Sequence, residues 1–98
     1  MPEDFQIVTK DGVPINTTNQ ALRLGIIAEL DAINLYENLA KNVDDEHTRK
    51  LFLDIAKEEK THVGEFQTLL LKHDTEQAEE MIAGQKEVED ILMVVEDG

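Results

Sequence analysis

The sequence predicts an all-α protein: an antiparallel two-helix hairpin plus a shorter C-terminal helix. Three observations predict it. A seam with steps of four and three runs through Leu22, Ile26, Glu29, Ile33, Tyr36, Ala40 and Val43. A second seam runs through Phe52, Ile55, Glu59, His62, Phe66 and Leu69. Such spacing gives each helix one coiled-coil-like face. The segment from Asn42 to Asp45 that joins them is short enough to demand an antiparallel return.

The elements follow in order. Residues 1–16 hold both prolines, Pro2 and Pro14, and the turn pair Asp11-Gly12, with Phe5, Ile7, Val13 and Ile15 apolar among polar neighbours. This pattern predicts an extended arm with weak strand character that docks on a neighbour. Residues 17–74 are the hairpin. Thr17, Thr18 and Asn19 are N-cap candidates for a helix from Thr18 to about Asn42. Gly25, inside it, costs about 1 kcal/mol in helix propensity and marks close helix packing. Asp44 or Asp45 caps a second helix from Asp45 to His73. At 1.5 Å per residue each helix is about 40 Å long. His73-Asp74-Thr75 reads as a turn, and residues 75–98 as the third helix, from Glu76 to about Val95. Its apolar positions are Ala78, Met81, Ile82, Val88, Ile91, Leu92 and Val95, and Gly84 predicts a break near Ala83-Gly84.

With 98 residues the chain is one small domain whose own core is modest, which favours oligomerisation. The net charge of −13 argues against nucleic acid and anionic membranes and favours cations or a basic protein surface. Cysteine is absent, so disulfides, thiolate zinc sites and iron–sulfur clusters are excluded. Any metal must be held by oxygen and imidazole, which suits iron, manganese or zinc. No apolar run reaches membrane-spanning length and no signal peptide is recognisable, so the expected location is cytoplasmic.

The two seams contain polar residues about midway. A carboxylate there is costly unless it is paired or bound to a cation. Glu59 and His62 form Glu-x-x-His, which puts both side chains on one helix face. Counted from the turn, Glu29 stands at the height of Glu59 and His62. A Glu from one helix and Glu-x-x-His from the next make half of a dinuclear carboxylate site in a four-helix bundle. A twofold axis between two hairpins supplies the other half, so the ligand deficit predicts a homodimer. The competing reading of Glu29 is a carboxylate satisfied by Arg49 or a lysine. Two further readings of the chain stay open: zinc or manganese stapling a dimer without catalysis, and a metal-free acidic adaptor.

Other candidates carry weaker signals. Tyr36, two turns from Glu29 on the same face, is either a hydrogen-bond or electron-transfer partner of the site or a core tyrosine. Asp31 lies just off the seam, either feeding cations inward or solvated. Glu58 falls outside the seam, His47 and His73 sit at helix ends, and Glu79, Glu80, Glu87 and Glu89 read as a solvated face.

The stretch from Ile27 to Tyr36 (IAELDAINLY), followed by Lys57 to His62 (KEEKTH), resembles the encapsulated ferritins, half-length members of the ferritin-like superfamily. The resemblance covers roughly Thr18 to Asp74. It implies a hairpin whose dimer rebuilds a ferritin-like four-helix bundle. It also implies a ferroxidase that oxidises Fe²⁺ to Fe³⁺ with O₂ at a di-iron centre. Glu29, Glu59 and His62 from both chains would be its ligands, and Tyr36 a catalytic tyrosine nearby. It further implies an open ring of five dimers, a decamer, housed in an encapsulin nanocompartment whose shell stores the iron. Of the family's acidic metal-access positions, Asp31 is present, while Ala28 replaces the other. No shell-docking peptide of the family's kind is recognisable after Leu92, which leaves fusion to the shell protein or a missing tail as the expected alternatives.

Overall fold

Three side chains set the helix boundaries in a computed structural model that describes residues 17–97. Thr17 has extended backbone (φ −130°, ψ 153°), and its hydroxyl accepts from the Gln20 N–H at 3.1 Å, opening α1 (Thr18–Asn42). Asp45 opens α2 (Glu46–His73), accepting from the Thr48 N–H at 2.9 Å and the Thr48 hydroxyl at 2.7 Å. These bonds satisfy donors that the first helical turn leaves unpaired. They also hold the Asp45 carboxyl below its ordinary pKa, the Thr48 hydroxyl first and the N–H second.

Asp74 joins α2 to α3 (Thr75–Asp97). Its N–H closes α2 on the Leu70 carbonyl at 2.8 Å, and its Oδ1 accepts from the Gln77 N–H at 3.0 Å. Its Oδ2 pairs with Arg23 of α1. One residue thus ends one helix, starts the next and ties both to the first.

The described residues are all-helical, and the two long helices form the expected hairpin. Arg49 clamps its turn: Nε donates to the Ala40 carbonyl at 3.3 Å, Nη2 to the Val43 carbonyl at 3.0 Å, and Nη1 pairs with Glu46 at 3.2 Å. A second cross-helix tie joins Lys60 to Glu37 at 3.1 Å. The buried positions are Leu22, Ile33 and Ala40 on α1, and Ala56 and Leu70 on α2. This is half a core: among the described residues no large side chain is fully enclosed, and Ile27, Leu30, Leu35, Leu51 and Leu53 stay exposed.

Two expectations need correction. The second seam ends at Leu70, which is 4% exposed, and not at Leu69, which is 46% exposed. Leu70 lies about five whole turns of a 3.6-residue helix from Phe52, whereas a strict heptad drifts off the buried face. The break near Ala83-Gly84 is absent, because α3 runs unbroken to Asp97. One glycine costs about 1 kcal/mol, and the helix formers Gln85, Lys86 and Glu87 on its C-terminal side offset it. Among the described residues α3 meets only α2, and these residues extend over 57 × 44 × 23 Å. The arm expected over residues 1–16 lies outside the described residues.

Candidate metal centre

The antiparallel return of α2 brings Glu59 and His62 to the height of Glu29, as counting from the turn requires. One donor atom from each of the three lies within 4.8 Å of the others, and no other such group occurs among the described residues. His62 Nδ1 stands 3.4 Å from Glu29 Oε2 and 3.4 Å from Glu59 Oε2. Charge attraction to a protonated imidazole works at that separation, but a good N–H···O hydrogen bond is shorter, about 2.7–3.2 Å. Glu29 Oε2 is accordingly buried without a hydrogen-bond partner. An orphaned buried acceptor costs about 1–3 kcal/mol, more when charged.

Burial differs within the group. The two carboxylate side chains are each 19% exposed, while that of His62 is 44% exposed. Helix positions account for the cluster. Glu59 and His62 are one turn apart on α2, and Glu29 faces them from the α1 seam. The donor set is hard oxygen plus borderline nitrogen, which fits iron, manganese or zinc. Donors on opposite sides of one such ion lie about 4 Å apart, close to the spread observed. The orphaned oxygen and the convergent donors therefore fit a divalent cation, and no cysteine competes for it.

The remaining candidates separate cleanly. Arg49 serves the hairpin turn and Lys60 pairs with Glu37, so the competing partner of Glu29 is not Arg49. The Tyr36 ring stacks on Phe52, with centroids 6.1 Å apart and planes 19° apart, two turns along the seam from Glu29. Asp31, Ala28, Glu58, His47 and His73 are exposed. Sequence reasoning missed Asp74 as an organising residue. Asp74 had a signal, since an Asp between two helices is an N-cap candidate.

The comparisons with known proteins agree with the all-helical fold. The rubrerythrin family profile matches residues 20–94. A ferritin-like–encapsulin shell fusion protein of Pyrococcus furiosus is 57% identical over 72 residues, which is 74% of this chain and 21% of that protein. The encapsulin nanocompartment cargo protein EncC of Myxococcus xanthus is 39% identical over 59 residues, 60% of this chain and 45% of that one. The chain thus spans between about a fifth and just under half of these curated relatives. The crystal structure of the encapsulated ferritin domain from Pyrococcus furiosus superposes with a TM-score of 0.73 at 46% identity, covering 86% of this chain and 92% of that one. No described helix is long and apolar enough to cross a membrane. The chain belongs to the rubrerythrin family of ferritin-like proteins and, within it, to the encapsulated ferritins.

Proposed function

We propose that this domain is a ferroxidase that takes Fe²⁺ as substrate, oxidises it with O₂ and delivers Fe³⁺ for storage inside an encapsulin shell. The observation that carries the reading is the convergence of Glu29, Glu59 and His62 in the hairpin seam, with Glu29 Oε2 buried and without a hydrogen-bond partner. Iron supplies the redox chemistry when bound. Glu29 and Glu59 neutralise the incoming charge and favour the harder ferric product, and His62 contributes a neutral nitrogen donor. Pairing with a second hairpin would exclude water from the site and strengthen these interactions.

One chain carries half of a di-iron set. Two hairpins related by a twofold axis supply four carboxylates and two imidazoles. The half-core and the exposed Ile27, Leu30, Leu35, Leu51 and Leu53 support the same pairing, since a second hairpin covers them. Tyr36, two turns along the seam from Glu29, serves the centre in this reading as a redox-capable ring, and Asp31 serves as an access position. In this reading α3 and the N-terminal arm join dimers into an open, decameric ring. The relatives, a shell fusion and a nanocompartment cargo protein, support an encapsulin nanocompartment as its setting, with the cytoplasm as the expected location.

Aerobic addition of Fe²⁺ tests the reading. Fast growth of ferric absorbance, lost in Glu59→Ala, is expected, followed by precipitation that co-assembly with a shell protein suppresses. Binding of zinc or manganese without iron oxidation would make the site a dimer staple instead.

A further inference from the structure

Gly25 and Phe66 form the layer next to the ligands, on the side away from the hairpin turn. Gly25 stands one turn before Glu29 on α1, and Phe66 one turn after His62 on α2. A Cβ placed on Gly25 would stand 3.3 Å from three atoms of the Phe66 ring. At Gly64 and Gly84 the same Cβ would meet nothing within 4 Å. Gly25 lies within regular helix, where alanine is the better former. Its use there is therefore not backbone freedom. What glycine supplies is the absence of a side chain against the ring. On the other side of the ligands, Ile33 and Ala56 are buried, about one turn from Glu29 and Glu59 respectively.

We propose that Gly25 and Phe66 are positioning residues that set the α1–α2 separation at the Glu29, Glu59 and His62 cluster. The inference rests on the metal-binding reading above and extends it to two residues that are not themselves ligands. Metal–ligand bonds tolerate only about ±0.2 Å. A methyl on Gly25 requires the Phe66 ring to give by a few tenths of an ångström; in this proposal the packed ring carries α2 with it, and Glu29 shifts by a comparable amount relative to α2. The helix as such would gain from alanine, so site geometry and helix stability respond in opposite directions.

Co²⁺ is the probe, added to the full chain and read by visible absorption, with circular dichroism reporting helicity. Gly25→Ala should keep its helicity, bind Co²⁺ on the order of tenfold more weakly and shift the ligand-field spectrum, the size of effect typical of residues that orient ligands. Gly64→Ala, a methyl in open space, should leave affinity and spectrum unchanged. Gly25→Ala/Phe66→Leu should recover the wild-type spectrum, because the smaller side chain makes room for the methyl. Wild-type affinity and spectrum in Gly25→Ala, or no recovery in the double variant, would overturn the proposal. If Gly25→Ala fails to fold, Phe66→Leu alone decides: a shifted spectrum supports the proposal and an unchanged one overturns it. A wild-type chain that binds no Co²⁺ would remove the metal reading itself. Crystal structures of metal-free wild type and Gly25→Ala then judge the spacing, a wider Glu29–His62 gap supporting it and an equal gap overturning it.

Discussion

In the hairpin, two carboxylates and an imidazole occupy a seam that otherwise holds apolar layers. In α3, Met81, Ile82, Val88, Ile91, Leu92, Met93 and Val94 point outward, Ile82 at 70% and Val94 at 72% exposure. The hairpin is tied by Arg23–Asp74, Lys60–Glu37 and the Arg49 clamp. α3 is anchored at its Asp74 end and, along its own length, carries a Gln85–Glu89 hydrogen bond at 3.0 Å. The two regions are thus deficient in opposite ways. The hairpin holds charge where apolar packing would be cheaper, and α3 shows apolar surface where water should meet charge. Charge held in a seam is a feature to be matched by a cation, whereas an exposed apolar stripe is matched by another surface.

The largest expected effect breaks the hairpin side of this contrast. Glu29→Ala, Glu59→Ala and His62→Ala should each reduce iron oxidation to the uncatalysed background in a stopped-flow assay. Helical circular dichroism should persist, and metal-free Glu29→Ala should melt no lower than wild type, because it loses a buried oxygen without a hydrogen-bond partner. Next comes packing. Leu70→Ala or Ile33→Ala should cost about 2–5 kcal/mol in thermal or denaturant unfolding. In the unassembled chain Ile82→Ala or Val94→Ala should stay within about 0.5 kcal/mol, the range of surface substitutions. A cost at Ile82 comparable to that at Leu70 would show α3 to be covered in solution, which would sharpen the contrast into a division between two interfaces.

The junction between the regions should respond less. Asp74→Ala removes a cap and an ion pair at once and should cost about 1–2 kcal/mol in denaturant unfolding. Gly84→Ala should stabilise by about 0.5–1 kcal/mol, because its methyl meets open space and alanine is the better helix former. The smallest effect concerns Asp45. Its folded-state pKa lies below the ordinary 3.8, so its contribution is complete above that value and is lost as pH falls through the lowered one. Acid titration of helicity should therefore lose a small component at the low end in Asp45→Asn relative to wild type.

Much of this was legible in the sequence, for identifiable reasons. α1 occupies the span expected from Thr18 to Asn42, because an N-cap threonine and a period-3.6 seam bound it on both sides. α2 ends at His73 as read and starts at Glu46, one residue past the expected Asp45, which is its cap. The convergence of Glu29 with Glu59 and His62 followed from counting outward from a short turn. The same counting could have removed Arg49 as a partner for Glu29, since Arg49 lies one turn after the cap and thus at turn level. Other features were not legible. Whether α3 breaks at Gly84 depends on the balance between one glycine and its neighbours, which a breaker rule does not weigh. The triple role of Asp74 requires knowing that Arg23 faces it across the hairpin. The clearance between Gly25 and Phe66 is a distance, and periodicity carries no distances.

The proposed function turns on completion of the seam site by a second copy of the chain around iron. Anaerobic Fe²⁺ titration followed by native mass spectrometry reads metal count and chain count together. Iron is expected on paired chains, two ions per pair, and Glu59→Ala is expected to abolish both the iron and the iron-dependent pairing. Iron held by single chains, or the same assemblies with and without iron, would contradict it.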